Sequence, residues 1–311
     1  MFRNKEYVLT VVKEKGFTKA AETLFVSQPS LSSSIKRIEE KIGSPIFDRS
    51  STPVTLTEVG QEYVKYALEI EEKENDFARY VSDHTNLLAG TIKLGGSSFF
   101  ASFMLPEMVS EFNKKHPKIK FEIFEDSTKN LMNKLSMGNL DLVIDNATVT
   151  DENIISEIYT TERILLAVPK KLEINNQLSK YRMSAEDIKL DKHLENGKSV
   201  ELEKFRNEKF ILLNHENDTG KRAEKLFRKY GIEPKTIFHL DQQVTAYNVS
   251  CTGMGISFVS DTLVKRIGAS PEVYYYKLPD KSTVRNIYLY QKKNHYLSLS
   301  ARKFIEYNIK Q

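Results

Sequence analysis

Residues 17–49 constrain this 311-residue chain more than any other stretch. They hold two short helical segments separated by Phe25-Val26, and the second opens with Ser27-Gln-Pro-Ser-Leu-Ser32. Thr18 reads as the cap of the first helix, where a side-chain oxygen satisfies N–H groups that the first turn leaves free. Ala20 and Ala21 are small enough to let a second helix cross closely. Ser27 reads as the cap of that second helix, with Pro29 in its first turn, where a missing N–H costs nothing. Leu31, Ile35, Ile38 and Ile42 recur at steps of 4, 3 and 4 residues, which makes one apolar stripe. That stripe should pack on Val8, Val11 and Val12. The opposite face carries Gln28, Ser30, Ser33, Ser34, Lys36 and Arg37. Gly43 ends the helix and Pro45 prevents its resumption.

Two helices with a tight turn form a helix-turn-helix, whose second helix enters the DNA major groove N-terminus first. Gln28 suits a bidentate pairing with adenine, and Ser30 and Ser33 suit either kind of base edge. Lys36, Arg37 and Arg49 suit phosphates, which hold register without reading sequence. Charge adds little, with nine Lys/Arg against seven Asp/Glu in residues 1–60. The runs Phe17-Thr-Lys-Ala-Ala-Glu-Thr-Leu24, Ser27-Gln-Pro-Ser-Leu-Ser32, Ile35-Lys-Arg-Ile-Glu39, Gly43, Phe47-Asp-Arg49 and Leu56-Thr-Glu-Val-Gly60 carry a resemblance. Residues 1–60 resemble the DNA-binding domain of the LysR-type transcriptional regulators. The resemblance implies a winged helix-turn-helix whose wing, Ser50 to Thr55, stands beside Arg49. The DNA contacts it implies, with those above, are Thr18, Ser27, Gln28, Pro29, Ser30, Ser33, Lys36, Arg37, Arg49 and Pro53. Ser33 and Ser34 depart from the family, many of whose members have a basic residue and a Gln there. Readout here then rests more on Gln28, Ser30 and DNA shape.

From Glu58 to about Leu88 there is no Pro, and no Gly beyond Gly60. Val59, Tyr63, Tyr66, Ile70, Phe77, Tyr80 and Leu87 follow an alternating 4–3 spacing, with Lys73 and His84 interrupting it. A period of 3.5 with charges between is a coiled-coil seam, and the simplest partner for it is a second copy of this chain. The resemblance agrees, since the family's linker helices dimerise and its operators carry two half-sites.

Beyond Leu88-Ala-Gly90 the chain alternates strands and helices. Strands are expected at 91–95, 120–125, 140–145, 163–168, 210–213, 236–240, 255–259, 273–277 and 285–290. Helices are expected between them, at 100–116, from Thr128 to about Gly138, at 221–230 and at 242–251, with a last one at about 299–309. Such alternation implies a largely parallel sheet with helices on both faces. This region resembles the same family's effector domain, which has the fold of periplasmic solute-binding proteins. That implies two lobes, which we place at 91–162 with 270–311, and at 163–269. Residues 170–209 read as a charged elaboration on the second lobe, without a functional assignment.

Ligands in such folds sit beyond the carboxyl ends of strands. There, helix N-termini offer free N–H groups to an anion. The effector-contact candidates are Ser97, Ser98, Thr128, Asn146, Asn214 and Thr219. The expected effector is a small anionic metabolite.

The fold expected is α+β and multi-domain. A winged helix-turn-helix occupies 1–57, a linker helix 58–89, and a two-lobed α/β periplasmic-binding-protein-like effector domain 91–311. No apolar run approaches the ~18 residues of a membrane span. Met-Phe-Arg-Asn-Lys-Glu at the start has no apolar signal core, so a cytoplasmic location is expected. The single cysteine, Cys251, excludes an intrachain disulfide and a cysteine-rich zinc site, and is expected to be buried. The six histidines form no metal motif, and there is no nucleophile elbow or phosphate loop. No cofactor, metal or enzymatic activity is expected. The partners expected are an operator duplex, a small effector and further copies of the chain, as a homodimer with a homotetramer as the further step. The rival is a solute-binding receptor without a DNA role.

Overall fold

A computed structural model describes residues 1–50, 53–85, 89–195, 199–268 and 270–309. It falls into two compact units, Met1–His84 and Thr85–Gln311.

The first unit contains α1 (Lys5–Glu14), α2 (Phe17–Thr23), α3 (Gln28–Ile42), the short strands β1 (Phe47–Asp48) and β2 (Thr55–Leu56), and α4 (Glu58–Thr85). β1 and β2 pair antiparallel. Val8, Val11, Ala20, Ala21, Leu31, Ile35 and Ile38 share one buried cluster, as the apolar spacing of α3 requires. Burying a side chain such as Leu31 or Ile35 contributes roughly 1.5–3 kcal/mol each. Ser27 caps α3 by accepting the Ser30 N–H at 3.3 Å, and Gly43 closes the helix at φ 79°. α2 differs from expectation. It begins at Phe17 behind Gly16, with no side-chain cap, so Thr18 lies inside the first turn and is exposed.

The long helix α4 runs to Thr85, and Leu87 lies outside the described residues. Its stripe divides. Tyr63 and Ala67 turn into the first unit's core, so Tyr63 is not part of an outward seam. Val59, Tyr66, Phe77, Tyr80 and Val81 are all exposed. Gly60 is there because α4 starts hard against the backbone just before β1: a Cβ at this position would lie 2.0 Å from the Ile46 carbonyl oxygen.

The second unit is built on β3 (Gly90–Gly96), α5 (Leu105–Lys115), β4 (Ile119–Glu125), α6 (Thr128–Ser136), β5 (Leu142–Asp145), β6 (Ile154–Pro169), α7 (Ile174–Gln177) and α8 (Ala185–Lys189). It continues with β7 (Lys209–Leu213), α9 (Asp218–Lys229), β8 (Lys235–Leu240), α10 (Gln243–Cys251), β9 (Ile256–Ser260), α11 (Asp261–Arg266), β10 (Val273–Lys277), β11 (Val284–Lys292) and α12 (Leu299–Ile309). A π-helical turn, Phe100–Met104, leads into α5. The strands form one sheet in the order β4-β3-β5-β11-β6-β9-β7-β8, with β10 also on β6. Each end is parallel as expected, β4-β3-β5 at one and β8-β7-β9 at the other. The middle is antiparallel, because β6 and β11 cross between the two ends.

β6 is the main departure from the expected strands. It begins at Ile154, and nine of its first ten residues pair with β11 through the backbone while most of their side chains stay in or near solvent. Only its last six residues, Ile164 to Pro169, are continuously buried, and the strand expected at 163–168 covers little more than this part. The largest core cluster joins Ile92, Leu94 and Phe112 of one end to Leu165, Val259 and Tyr275 of the other, so the two ends share buried apolar surface. From the segment 170–209, Met183 and Val200 cover the outer edge of β10. Met183 and Tyr275 exchange backbone hydrogen bonds of 3.0 and 2.9 Å, and buried His193 lies 2.8 Å from Asp261. Covering a strand edge removes its free N–H and C=O groups from solvent. Cys251 is half-buried against the largest cluster rather than fully enclosed.

Candidate nucleic-acid interface and effector cleft

On α3 the burial of alternate sides is clean. Leu31 and Ile35 are fully enclosed, while Gln28, Pro29, Ser30, Ser33, Lys36 and Arg37 are exposed. Thr18, Ser27, Arg49 and Pro53 are exposed as well, and Ser34 is half-buried. Ser51 and Thr52 of the wing lie outside the described residues. The Ser27 cap and Pro29 leave the first turn of α3 at the surface with Gln28 at its tip.

Arg49 is held rather than free. Its guanidinium donates to Glu39 Oε2 at 3.1 Å and to Ser32 Oγ at 3.3 Å, and stands 5.1 Å from the Phe17 ring centroid. The other Glu39 oxygen accepts the N–H groups of Ile46 and Phe47 at 2.8 and 3.3 Å. Glu39 thus ties α3 to β1 and aims Arg49 along the helix. Sequence reasoning did not assign it this work; a lone Glu within a charged helix gives no signal of it. Phe25 is a second surprise. It occupies the turn between α2 and α3 at φ 54° and is 97% exposed.

In the second unit, a cavity of about 260 Å³ opens where both ends of the sheet present their strand carboxyl ends. Ser97, Thr128, Asn146 and Thr219 line it together. Ser98 and Asn214 are not among its lining residues: the Ser98 hydroxyl donates to Glu125 and the Asn214 amide to Asp241. Four helical first turns reach the lining, at Phe99–Phe100, Thr128, Asp218–Thr219 and Gln243. First-turn N–H groups have no intrahelical acceptor, and the dipole there is positive, so anions are favoured. Close contacts put these turns in place. A Cβ at Gly96 would lie 3.0 Å from Phe100 Cβ, and one at Gly220 would lie 2.4 Å from the Asn214 carbonyl oxygen.

Thr128 and Thr219, expected as effector contacts, do not cap their helices. Ser127 caps α6 and Asn217 caps α9, each by accepting a first-turn N–H. Thr128 donates instead to Asp145 Oδ2 at 2.9 Å. Thr219 Oγ1 accepts from Arg285 Nη1 at 2.9 Å and from Gln243 Nε2 at 3.3 Å.

Arg285 was not anticipated. It is buried on β11, with Nε 2.7 Å from Glu162 of β6 and Nη1 2.8 Å from Asp218 of α9. Both crossing strands are therefore linked to a helix that borders the cavity. Burial pushes the Arg285 pKa down, but the charges of Glu162 and Asp218 and their hydrogen bonds outweigh it and raise it. Asp145 is pushed up by burial, which the donors Ala147 N and Thr128 hydroxyl offset in part. An Arg within a tyrosine-rich strand gives no sign of such a partner set; only the topology brings Arg285, Glu162 and Asp218 together.

A larger recess of about 660 Å³ lies among the π-turn, β6, α11 and α12. Its charged groups are spent on one another or on the backbone. Asp261 accepts from His193 and from Arg163 N, Lys265 pairs with Asp191, and Arg266 pairs with Glu107. The smaller cavity has the convergent helix ends, so it is the effector candidate.

A surface helix-turn-helix with a wing, followed by a two-ended α/β body around a polar cleft, defines a DNA-binding regulator with a ligand-sensing module. Residues 2–61 match the family model of the bacterial regulatory helix-turn-helix protein, lysR family, and residues 85–310 match that of the LysR substrate binding domain. The chain belongs to the LysR family of transcriptional regulators, which are not enzymes. It is similar to the HTH-type transcriptional regulator YcgK of Bacillus subtilis, with 26% identity over 307 residues, 97% of this chain and 91% of that one. It is 26% identical over 261 residues to the regulator BenM of Acinetobacter baylyi, covering 83% of this chain and 79% of that one. Its fold is shared with full-length CbnR in complex with its target DNA, at 17% identity and a TM-score of 0.65, covering 100% of this chain and 99% of that one. Among the described residues no helix is long and apolar enough to cross a membrane.

Proposed function

We propose that this chain is a cytoplasmic, homo-oligomeric regulator that reads an operator through α3 and answers to a small anionic metabolite bound in the 260 Å³ cleft. The reading rests on one observation above the others: the bare polar first turns of α3 above a fully enclosed Leu31–Ile35 stripe. In this scheme residues 1–57 bind DNA, 58–89 pair two copies, and 91–311 sense the effector. Gln28, Ser30 and Ser33 face base edges. Thr18, Ser27, Pro29, Lys36, Arg37, Arg49 and Pro53 face the backbone or wing side. The exposed Val59, Tyr66, Phe77, Tyr80 and Val81 of α4 support self-association, since a stripe of this kind is stable only when covered.

The four helical first turns around the cleft support the anionic effector. Ser97, Thr128, Asn146 and Thr219 are the lining contacts of this scheme, with Ser98 and Asn214 at one remove. A ligand shifts the assembly only as far as it discriminates between its states.

The test is selection of genomic fragments by the purified chain, repeated across a panel of small acids. Recovery of discrete sites with paired half-sites, with an affinity that one acid changes, supports the proposal. Uniform recovery of all fragments, or no response to any acid, counts against it.

A further inference from the structure

The polar atoms of the cleft are partly committed to one another, and those commitments fix which atoms remain for a ligand. Thr128 gives its hydroxyl proton to Asp145 Oδ2 at 2.9 Å, so toward the cavity its oxygen only accepts. Asn146 gives an amide N–H to Glu162 Oε1 at 3.2 Å, and a carboxylate there requires the donor end of the amide, which leaves the Asn146 carbonyl oxygen as an acceptor. Asp145 accepts on both oxygens, Oδ1 from the Ala147 N–H at 2.9 Å and Oδ2 from Thr128. These three residues form an acceptor wall where β5 ends and α6 begins.

The rest of the lining has the opposite sense. Thr219 Oγ1 already accepts from Arg285 and Gln243, so its own proton is left for another group. It stands in the first turn of α9, with the first turn of α10 and Lys221 also on the lining. Phe99 and Phe100, in the helical turn after β3, also line the cavity. The buried guanidinium on the floor, Arg285, is spent on Glu162 and Asp218. Asp145, Glu216 and Asp218 put three carboxyl groups on the lining against Arg285 and Lys221. The donors therefore suit one carboxylate, while a second negative charge would meet no uncommitted buried cation.

We propose, on the reading that this cleft is the effector site, that its ligand is a carboxylic acid carrying a hydroxyl or ammonium group. Thr128, Asp145 and Asn146 select it against plain acids and against dianions. A ligand without a donor leaves this acceptor wall desolvated and unpaired, which is the expensive half of a buried hydrogen bond.

Matched probes decide it: butyrate, 2-hydroxybutyrate and 2-aminobutyrate, with succinate and inorganic phosphate as dianions, each titrated calorimetrically into the full chain. The hydroxy or amino acid should bind at least about tenfold more tightly than butyrate, the size of effect that an unpaired buried acceptor produces. Thr128→Val should shrink that ratio to about twofold and Thr128→Ser should restore it, as loss and return of one acceptor require. Asn146→Ala is the second variant should Thr128→Val not fold, and it too should shrink the ratio. Equal or tighter binding of butyrate, succinate or phosphate overturns the selectivity while leaving the effector site standing. A ratio unmoved by the variants also overturns it. No binding by any probe removes the effector reading and this inference with it.

Discussion

Polar side chains serve the two units in opposite ways. On α3 they stand bare: Gln28, Ser30 and Ser33 face solvent, above a stripe whose burial does the stabilising. Around the cleft they are buried or half-buried and bonded to each other, as in the Arg285–Glu162–Asp218 set. The difference teaches what each surface is for. A helix that must read many base edges keeps its donors and acceptors uncommitted until DNA arrives. A cleft that must recognise one small molecule fixes its groups beforehand, so that little ordering entropy is lost on binding.

The contrast breaks most visibly at Arg285. Arg285→Gln leaves the buried Glu162 without its cation and Asp218 with Arg222 alone, which should cost about 3–5 kcal/mol of stability. Urea denaturation of the second unit's transition measures it. An undiminished midpoint would show the network to be idle. Leu31→Ala should cost about 2–5 kcal/mol in the first unit and leave the second unit's transition in place. Gln28→Ala is the sharpening control: specific DNA affinity should fall by about 1–3 kcal/mol with stability unchanged, as measured by fluorescence anisotropy beside a melt.

Smaller effects follow the same division. Phe25→Gly should stabilise the first unit by up to about 1 kcal/mol, because a bulky residue at positive φ stores strain. Thermal melts check its sign. In the second unit, half-buried Asp126 has its pKa lowered to about 2 by the hydrogen bonds from Lys134, Asn130 and Ser127 N. A depressed carboxyl stabilises the fold above its unfolded value of 3.8 and loses that contribution as pH falls toward 2. Asp187 and Asp280 are lowered for the same kind of reason, by Lys192 and by Lys229. Stability should therefore decline through this acid window, and Asp126→Asn should shallow the slope slightly in pH-dependent melts.

How much of this was legible depended on where the information is stored. The α3 stripe, the Ser27 cap and the Gly43 stop are local, and the structure has each where spacing and capping chemistry put it. The β-strand Val273–Lys277 matches the expected bounds for the same reason, since a buried run between turns is a local signal. The first half of β6 was invisible because its pairing with β11 uses the backbone, while side chains such as Glu157, Thr160 and Thr161 alternate without an apolar side. The caps of α6 and α9 are Ser127 and Asn217, not the neighbouring Thr128 and Thr219. Those threonines have distant partners instead: Asp145 lies 17 residues from Thr128, and Arg285 lies 66 from Thr219. A sequence read along its length cannot see bonds whose partners only the sheet order brings together.

The most direct measurement is the ratio of operator to non-operator affinity at one fixed salt concentration, for the intact chain and for Gln28→Ala. The ratio should be large for the intact chain and fall about tenfold or more on removing the Gln28 amide, while non-operator binding stays the same. A ratio near one, or a ratio indifferent to Gln28, would contradict the assignment of α3 as the reading helix.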